Sequence, residues 1–349
     1  MLRVTSSYCM SGALLALLLS ASSPTCAAGT GAAAALEIRV EQRIAQYHKA
    51  FPQIAFVQLR DLEDLAPLLP LANSLGADAS NVDYEHPADL RQTLLDVQTQ
   101  RLTQMLIHGL PSATLFRVND APLTARPLVC LLTMDERNFV HHPRAATAFM
   151  TDFLDEQLTR VPESSVLDNT AFVHYTLDHE LFHCVDGFRN GALYPRTLSD
   201  IQSCYHHHRA ELRAEIFAAL AHLARYPTQR GFLSSLARIR ALGLLSWDPT
   251  HYTVPALRQL AALPAHGVPN EDIVGLVDLA EQKALHLSPE LGEHQRFMVA
   301  AYHLARRNGL AASEFPPETA ALASFEPDIS VLQALSAELQ TALAAMQGP

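Results

Sequence analysis

The chain has 349 residues, of which 49% are hydrophobic and 17% charged, a composition typical of a globular protein and not of a disordered one. Its formal net charge is −11, from 25 basic and 36 acidic side chains, and no long basic run offsets it. This balance argues against nucleic acid and against an anionic membrane surface as partners. The length allows a large core and about two subdomains.

The first 28 residues have the pattern of a secretory signal peptide. A basic residue, Arg3, precedes a short apolar run, Ala13–Leu19, and small residues follow, so we expect cleavage after Ala28. The run is too short to span a bilayer, and no later segment is long and apolar enough to be transmembrane. Cys26 raises lipidation as an alternative, but the residues before it lack the aliphatic side chain that such a site needs. We predict a periplasmic or secreted protein.

The next part, residues 29–170, mixes strands and helices. Strands are predicted where β-branched and aromatic residues are dense, and helices where apolar residues recur at helical spacing. The predicted strands are Gln53–Arg60, Ala113–Val118 and Leu128–Met134, and the predicted helices are Ala32–Ala50, Asp89–His108 and Ala145–Thr159. The last of these strands is expected to be buried on both faces. The pattern indicates a small mixed sheet with helices.

The stretch LDHELFHCVDG contains the motif H-E-x-x-H, in which Glu180 follows His179 and His183 comes four residues after it. In a chain with 17 histidines this motif is expected by chance only about 0.04 times, so coincidence is a weak explanation. If the motif lies on a helix, the two histidines share one face and both imidazoles can reach one ion.

The residues around the motif predict such a helix. Apolar side chains recur at helical spacing over residues 171–186, and no proline interrupts them. Asn169 or Thr170 can cap its start, and Gly187 stands where a C′ glycine would end it.

A second long helix, Ser199–Arg225, is predicted next, with a capping box of Ser199 and Gln202. Beyond Arg230 only helical patterns follow, including Asp272–Leu285 and Glu293–Arg307. We therefore predict an α+β protein with a small N-terminal mixed sheet, a central H-E-x-x-H helix and an all-helical C-terminal subdomain. The predicted boundaries are 1–28 for the signal peptide, 29–170 for the α/β part, 171–230 for the zinc-site helices and 231–349 for the C-terminal helices.

Three of the five cysteines lie beyond the signal peptide, namely Cys130, Cys184 and Cys204. In an oxidising compartment an odd number allows one disulfide and leaves one thiol. Cys184–Cys204 is the attractive pair, because it would tie the motif helix to the next element. The alternative is that all three are small buried hydrophobic side chains.

A catalytic zinc site needs three protein ligands and an open position. Six residues after His183, where the H-E-x-x-H-x-x-G-x-x-H class has its third ligand, this chain has Arg189, which excludes that class. On the second long helix, Glu211 and Glu215 are four residues apart and share a face. We expect Glu211 to be the third ligand and Glu215 to accept the N–H of a zinc-bound histidine. The alternative is a solvated face on which neighbouring arginines pair with both glutamates.

A motif H-E-x-x-H followed by a glutamate on a second helix resembles the gluzincin zinc metallopeptidases, the thermolysin-like clan. There the third ligand is a Glu with an Asp four residues later, and Glu211 and Glu215 have that spacing, with Glu in place of Asp. The segment ELRAEIFA, residues 211–218, also resembles the E-x-x-A-[DN]-x-F-A segment of ImmA/IrrE-type peptidases. The resemblance covers about residues 171–220, and it implies a zincin-like fold with one Zn²⁺ on the two motif histidines and Glu211.

Other histidines and two tyrosines are weaker candidates. The consecutive histidines from His206 to His208 point three ways on a helix, so they cannot all serve one ion. One of them could donate to a substrate oxyanion or replace Glu211 as ligand, but we expect surface or rim positions, and the same for the pair at 141 and 142. Tyr175 and Tyr205 are candidate oxyanion donors.

These features predict an exported zinc metallopeptidase that acts on a peptide or protein substrate. Zinc lowers the pKa of a bound water toward about 7 and polarises the scissile carbonyl. Glu180 points away from the zinc direction by one residue's rotation, so it can act as the general base and pass the proton to the leaving amine. The first alternative is a non-catalytic exported helical binding protein with a structural or degenerate zinc site. The second is a zinc hydrolase of a non-peptide amide.

Overall fold

The structure, a computed structural model, describes residues 31–65, 75–76, 102–118, 128–140, 145–151, 167–190, 200–263, 268, 272–315 and 317–347. Some predicted features lie outside these residues. They are the signal peptide, Ser199 of the capping box, the histidines at 141 and 142, residues 89–101 of one predicted helix and residues 152–159 of another.

Four described strands form one mixed sheet in the order β1-β4-β3-β2. The strands are β1 (Ile54–Leu59), β2 (Leu75–Gly76), β3 (Ser112–Val118) and β4 (Leu128–Thr133). β4 pairs in parallel with β1 and antiparallel with β3, which in turn pairs antiparallel with β2. All six residues of β4 are buried, which confirms the prediction of a strand covered on both faces.

Helices precede, separate and follow the strands of this sheet. They are α1 (Gly31–Ala50), α2 (Leu62–Leu65), α3 (residues 102–108) and α4 (Ala145–Thr151), with a 3₁₀ turn at Glu136–Phe139. In α1 the buried side chains Leu36, Val40, Ile44 and Tyr47 recur at helical spacing, so one face of the helix is apolar and covered.

The motif helix α5 (Asn169–Asn190) is longer at both ends than predicted. Its start is capped by Asp168, whose Oδ1 accepts the backbone N–H of Ala171 at 2.7 Å, and not by Asn169 or Thr170. Asn169 accepts the N–H of Ala146 at 3.0 Å instead. The prediction that Gly187 ends the helix is wrong: a Cβ there would lie 3.3 Å from Leu115 Cδ2, so the glycine serves close packing against β3.

The disulfide joins Cys130 of β4 to Cys184 of α5, with Cα atoms 5.9 Å apart, so the predicted pair Cys184–Cys204 is wrong. Both bonded cysteines are fully buried. Phe188, four residues after Cys184, has its ring 6.4 Å from that of Phe51. Positions 184 and 188 share a face of α5, and the contacts show that this face is turned toward β4 and the end of α1.

Helix α6 (Asp200–Arg225) is the centre of the helical part of the protein. Its residues 214–221 are each at most 2% exposed, so this part of the helix is buried on all sides, and its alanines let neighbouring helices approach. The helices that follow are α7 (Arg230–Leu242), α8 (Val254–Ala261), α9 (Ile273–Leu287), α10 (Leu291–Arg307) and α11 (Ile329–Gln347). α8, α9 and α10 pack against α6.

The chain divides into two compact units, one of residues 1–140 with 180–192 and one of residues 141–179 with 193–349. Helix α5 contributes residues to both. In the described residues from 200 onward the structure has helices and no strand, so the predicted α+β class, a mainly helical protein with a small mixed sheet, is confirmed. The zincin-like assignment and the functional subdomain boundaries stay predictions.

Among the described helices, none combines the length and the apolar character needed to cross a membrane.

Candidate metal centre

Three predicted ligands, His179 and His183 of α5 and Glu211 of α6, lie together. Each offers one ligand atom, and these atoms are all within 4.8 Å of one another. The two histidines are one helical turn apart, so their side chains leave α5 on one face. Glu211 reaches the same point from the first half of α6. The described residues therefore hold a group of two imidazoles and one carboxylate that could bind a metal ion.

His179 is 5% exposed, and each of its ring nitrogens faces a carboxylate. Its Nε2 lies 3.1 Å from Glu211 Oε2, and its Nδ1 lies 3.1 Å from Glu215 Oε2. Burial alone would lower the pKa of His179, but the hydrogen bonds and negative charges of the two glutamates outweigh it and raise the pKa to about 9. In the metal-free protein His179 is therefore an imidazolium held between two carboxylates.

This arrangement fits a metal ion as well as a proton. With one proton on Nδ1 facing Glu215, the lone pair of Nε2 would face the oxygen of Glu211, and two acceptors in contact repel each other. A cation between them removes that repulsion. Two ligands about 2.0–2.1 Å from a tetrahedral zinc are about 3.3 Å apart, close to the 3.1 Å found between Nε2 and Oε2.

Glu215 is fixed from the other side by Arg240 of α7. The guanidinium donates through Nε to Oε1 and through its terminal nitrogen to Oε2, both at 3.0 Å. Burial would raise the pKa of Glu215, but the charge of Arg240 and the contact with His179 hold it far below its usual range. Glu215 is 1% exposed, so it does not lie on the solvated face that we considered as an alternative.

Glu180 is the next residue of α5, about 100° further around the helix than His179. Its side chain is half-buried, and the three-ligand group does not include it. Glu180 lies on the same helix as His179 and His183, so helix geometry sets its position relative to these two ligands.

The structure adds His251, which the sequence did not single out. Its Nε2 lies 3.2 Å from Glu211 Oε2, and its Nδ1 lies 2.6 Å from Asp248 Oδ1. Burial lowers the pKa of His251, but the charge of Glu211 and the hydrogen bond with Asp248 raise it to about 10. The residue that the sequence missed is thus an imidazolium beside the third ligand.

The weaker sequence candidates lie in other surroundings. His208 is 6% exposed and its Nδ1 donates to the carbonyl of Thr250 at 3.0 Å, so the expectation of a surface position is wrong for it. Of its two neighbours in the run, one is half-buried and one is exposed. Tyr175 donates to the carbonyl of Glu215 at 3.3 Å, and Tyr205 to that of Pro289 at 3.1 Å.

Comparisons with known proteins give no family model, no curated protein and no solved structure that matches this chain.

Proposed function

We propose that this protein is a zinc-dependent hydrolase that cleaves peptide bonds. The observation that carries the proposal is the group of His179, His183 and Glu211, with Glu180 next to the first of these ligands on the same helix. Two histidines and one carboxylate are the ligand set of one large class of catalytic zinc sites, in which the fourth position stays open for water or substrate. We also propose, from the predicted signal peptide, that the protein acts after export.

The residues of the chain have separate tasks in this proposal. His179, His183 and Glu211 would hold the ion, and Glu215 would keep the proton of His179 on Nδ1 so that Nε2 is left to bind. When bound, zinc would supply an acidic water and polarise the carbonyl of the scissile bond. Glu180, which is not a ligand, would accept the proton of that water and give it to the leaving amine.

His251 has the chemistry of an oxyanion donor. Its Nδ1 is tied to Asp248 at 2.6 Å, so the ring is oriented. Its Nε2 lies 3.2 Å from Glu211 Oε2, and the proton there would become available to a substrate when the ion takes over the charge of Glu211. In the metal-free protein burial lowers the pKa of His251, but the charge of Glu211 and the hydrogen bond with Asp248 raise it to about 10; the bond with Asp248 would remain when Glu211 binds an ion. A preorganised donor aimed at a developing negative charge contributes more to catalysis than a mobile one, since it needs no reorganisation during the reaction.

The contact between His251 and Glu211 also favours a second candidate function. If His251 became a fourth ligand, the site would be closed, as structural zinc sites are. The protein would then be an exported helical binding protein whose zinc only stabilises the fold. The intact Glu180 supports the hydrolase instead, because a closed structural site has no use for a general base.

Metal analysis combined with hydrolysis of a broad peptide library tests the proposal. We expect protein purified without chelator to hold about one zinc per chain and to cleave library peptides. Removal of the ion should abolish cleavage, and added zinc should restore it. His183→Ala and Glu211→Gln should bind zinc more weakly, whereas the control His286→Ala, an exposed histidine of α9, should not differ from wild type. Absence of metal from the wild-type protein would contradict the proposal.

A further inference from the structure

Arg240 is a charged residue in a place that requires a partner. Its side chain is 16% exposed, and it lies in the last turn of α7, between buried neighbours. A guanidinium removed from water costs free energy unless its donors are bonded. The partner is Glu215, and the two form a fork with two parallel hydrogen bonds of 3.0 Å. Such bidentate pairs fix the plane of the carboxylate as well as its position.

The fork fixes a side chain that touches the metal centre. Glu215 uses Oε2 twice, for the terminal nitrogen of Arg240 and for Nδ1 of His179 at 3.1 Å. A glutamate has several rotatable bonds, and without the fork its carboxylate could turn away from the imidazole. The contacts therefore form a continuous chain from Arg240 to Glu215, from Glu215 to His179, and from His179 to Glu211.

We propose that Arg240 is a positioning residue of the metal centre, which sets the affinity for zinc by holding the Glu215 carboxylate against Nδ1 of His179. The proposal rests on the proposed zinc site. Arg240 is not one of the three candidate ligands, so its effect on the ion would be transmitted by two intervening side chains, Glu215 and His179. Groups that orient a metal-bound histidine typically change metal affinity by 10–100-fold when they are lost.

The positive charge of Arg240 and its positioning role predict opposite changes in zinc affinity when the residue is replaced. The direction of the measured change therefore tests the proposal. As a positive charge, Arg240 repels a cation, so its removal would strengthen zinc binding by Coulomb's law alone. As a positioning group, it supports the ligand His179, so its removal would weaken zinc binding. Arg240→Lys separates the two, because lysine keeps the charge but cannot form the planar fork.

The experiment measures the Kd of Zn²⁺ by competition with a chromophoric chelator, and the visible spectrum of the Co²⁺-loaded protein. We expect Arg240→Lys and Arg240→Gln to weaken zinc binding about tenfold or more, and to change the Co²⁺ spectrum as the ligand geometry loosens. The matched control is Arg225→Lys, since Arg225 likewise bonds a buried carboxylate, that of Asp178 at 3.1 Å, and joins two helices, α6 and α5. The control should bind zinc as wild type does.

A double-mutant cycle tests whether Arg240 acts through Glu215. In the Glu215→Gln background, Arg240→Lys should cause little further loss of zinc affinity. Full additivity, unchanged or tighter zinc binding in Arg240→Lys, or an equal loss in Arg225→Lys would each overturn the proposal. So would loss of the helical circular dichroism of the metal-free Arg240 variants, because it would assign Arg240 to fold stability. If wild type binds no zinc, the proposed function fails instead, and the two failures are thereby distinguished.

Discussion

His251 Nε2 lies 3.2 Å from Glu211 Oε2, so a histidine from the loop between two helices meets the third predicted ligand. Asp248, three residues earlier in the same loop, holds the other nitrogen at 2.6 Å. Glu211 Oε2 thus has imidazole nitrogens on two sides, those of His179 and His251. If zinc takes the place of the proton on His179, His251 stays beside Glu211 with a proton to donate.

Replacement of His251 should therefore damage catalysis and not metal binding. We expect His251→Ala to retain its zinc and its KM and to lose about 10²–10³-fold in kcat, the usual effect of deleting one oxyanion donor. His251→Gln should recover part of the loss, because its amide can still donate. Steady-state kinetics and metal analysis of the same preparations provide the measurement. Weaker zinc binding with unchanged kcat would instead make His251 a ligand and favour the structural site.

Zinc affinity should depend on pH because zinc must displace a proton from His179. The pKa of this residue in the metal-free protein is about 9, so at every lower pH the ion competes with that proton. We expect the apparent affinity to rise up to about tenfold per pH unit from about pH 6.5 to 8.5. Chelator competition across this range measures it, with the chelator calibrated at each pH. A flat profile would mean that His179 Nε2 carries no proton for zinc to replace.

The stability of the metal-free protein should fall as the pH rises, whereas the zinc affinity should increase. The folded pKa values of His179 and His251, about 9 and about 10, lie above the ordinary histidine value of 6.5. A group with a raised pKa contributes its full stabilisation when the pH is below its ordinary pKa. The contribution is lost as the pH rises through the pKa of the folded state. Urea unfolding in the presence of chelator should thus give a lower free energy of unfolding at pH 9 than at pH 6.5. A Glu211→Gln variant should show a weaker decline.

The disulfide between Cys130 and Cys184 should stabilise the protein strongly. It closes a loop of 54 residues and attaches α5 to the central strand β4 next to His183. The loop-closure estimate for this length is about 4 kcal/mol, and we expect the Cys130→Ser/Cys184→Ser variant to lose roughly that much free energy of unfolding in urea. Cys204→Ser is the control and should lose about 1 kcal/mol or less. Equal stability of wild type and double variant would show that the bond does not form in solution.

The parts of the site that the sequence predicts depend on local helix geometry. His179 and His183 meet because residues four apart share a helix face, and Glu211 and Glu215 share a face for the same reason. The strands and the long helices follow from hydrophobic period in the same way. Spacing along the chain does not show whether the two helices face each other, because that depends on the tertiary fold.

The parts that the sequence did not predict depend on the path of the chain. Arg240 and His251 reach Glu215 and Glu211 only because α7 and the loop after it return to α6, and no periodicity marks either residue. Cys204 is the partner that the sequence favours for Cys184 because that bond would tie the motif helix to the next element, whereas the direction of a side chain around the helix decides pairing. Glycine is common at helix ends, but Gly187 lies inside α5, where the lack of a side chain lets β3 pack closely.

The most direct test of the central claim is the hydrolytic activity of Glu180→Gln at full zinc occupancy. Glutamine keeps the size of the side chain and its hydrogen-bonding end but cannot accept the proton of the attacking water. Because Glu180 is not a ligand, the variant should fold and bind one zinc as wild type does. General-base catalysis contributes typically 10²–10⁴-fold, so cleavage of a peptide that wild type hydrolyses should fall by at least about a hundredfold. A zinc-loaded Glu180→Gln protein that cleaves the same peptide at the wild-type rate would contradict the account.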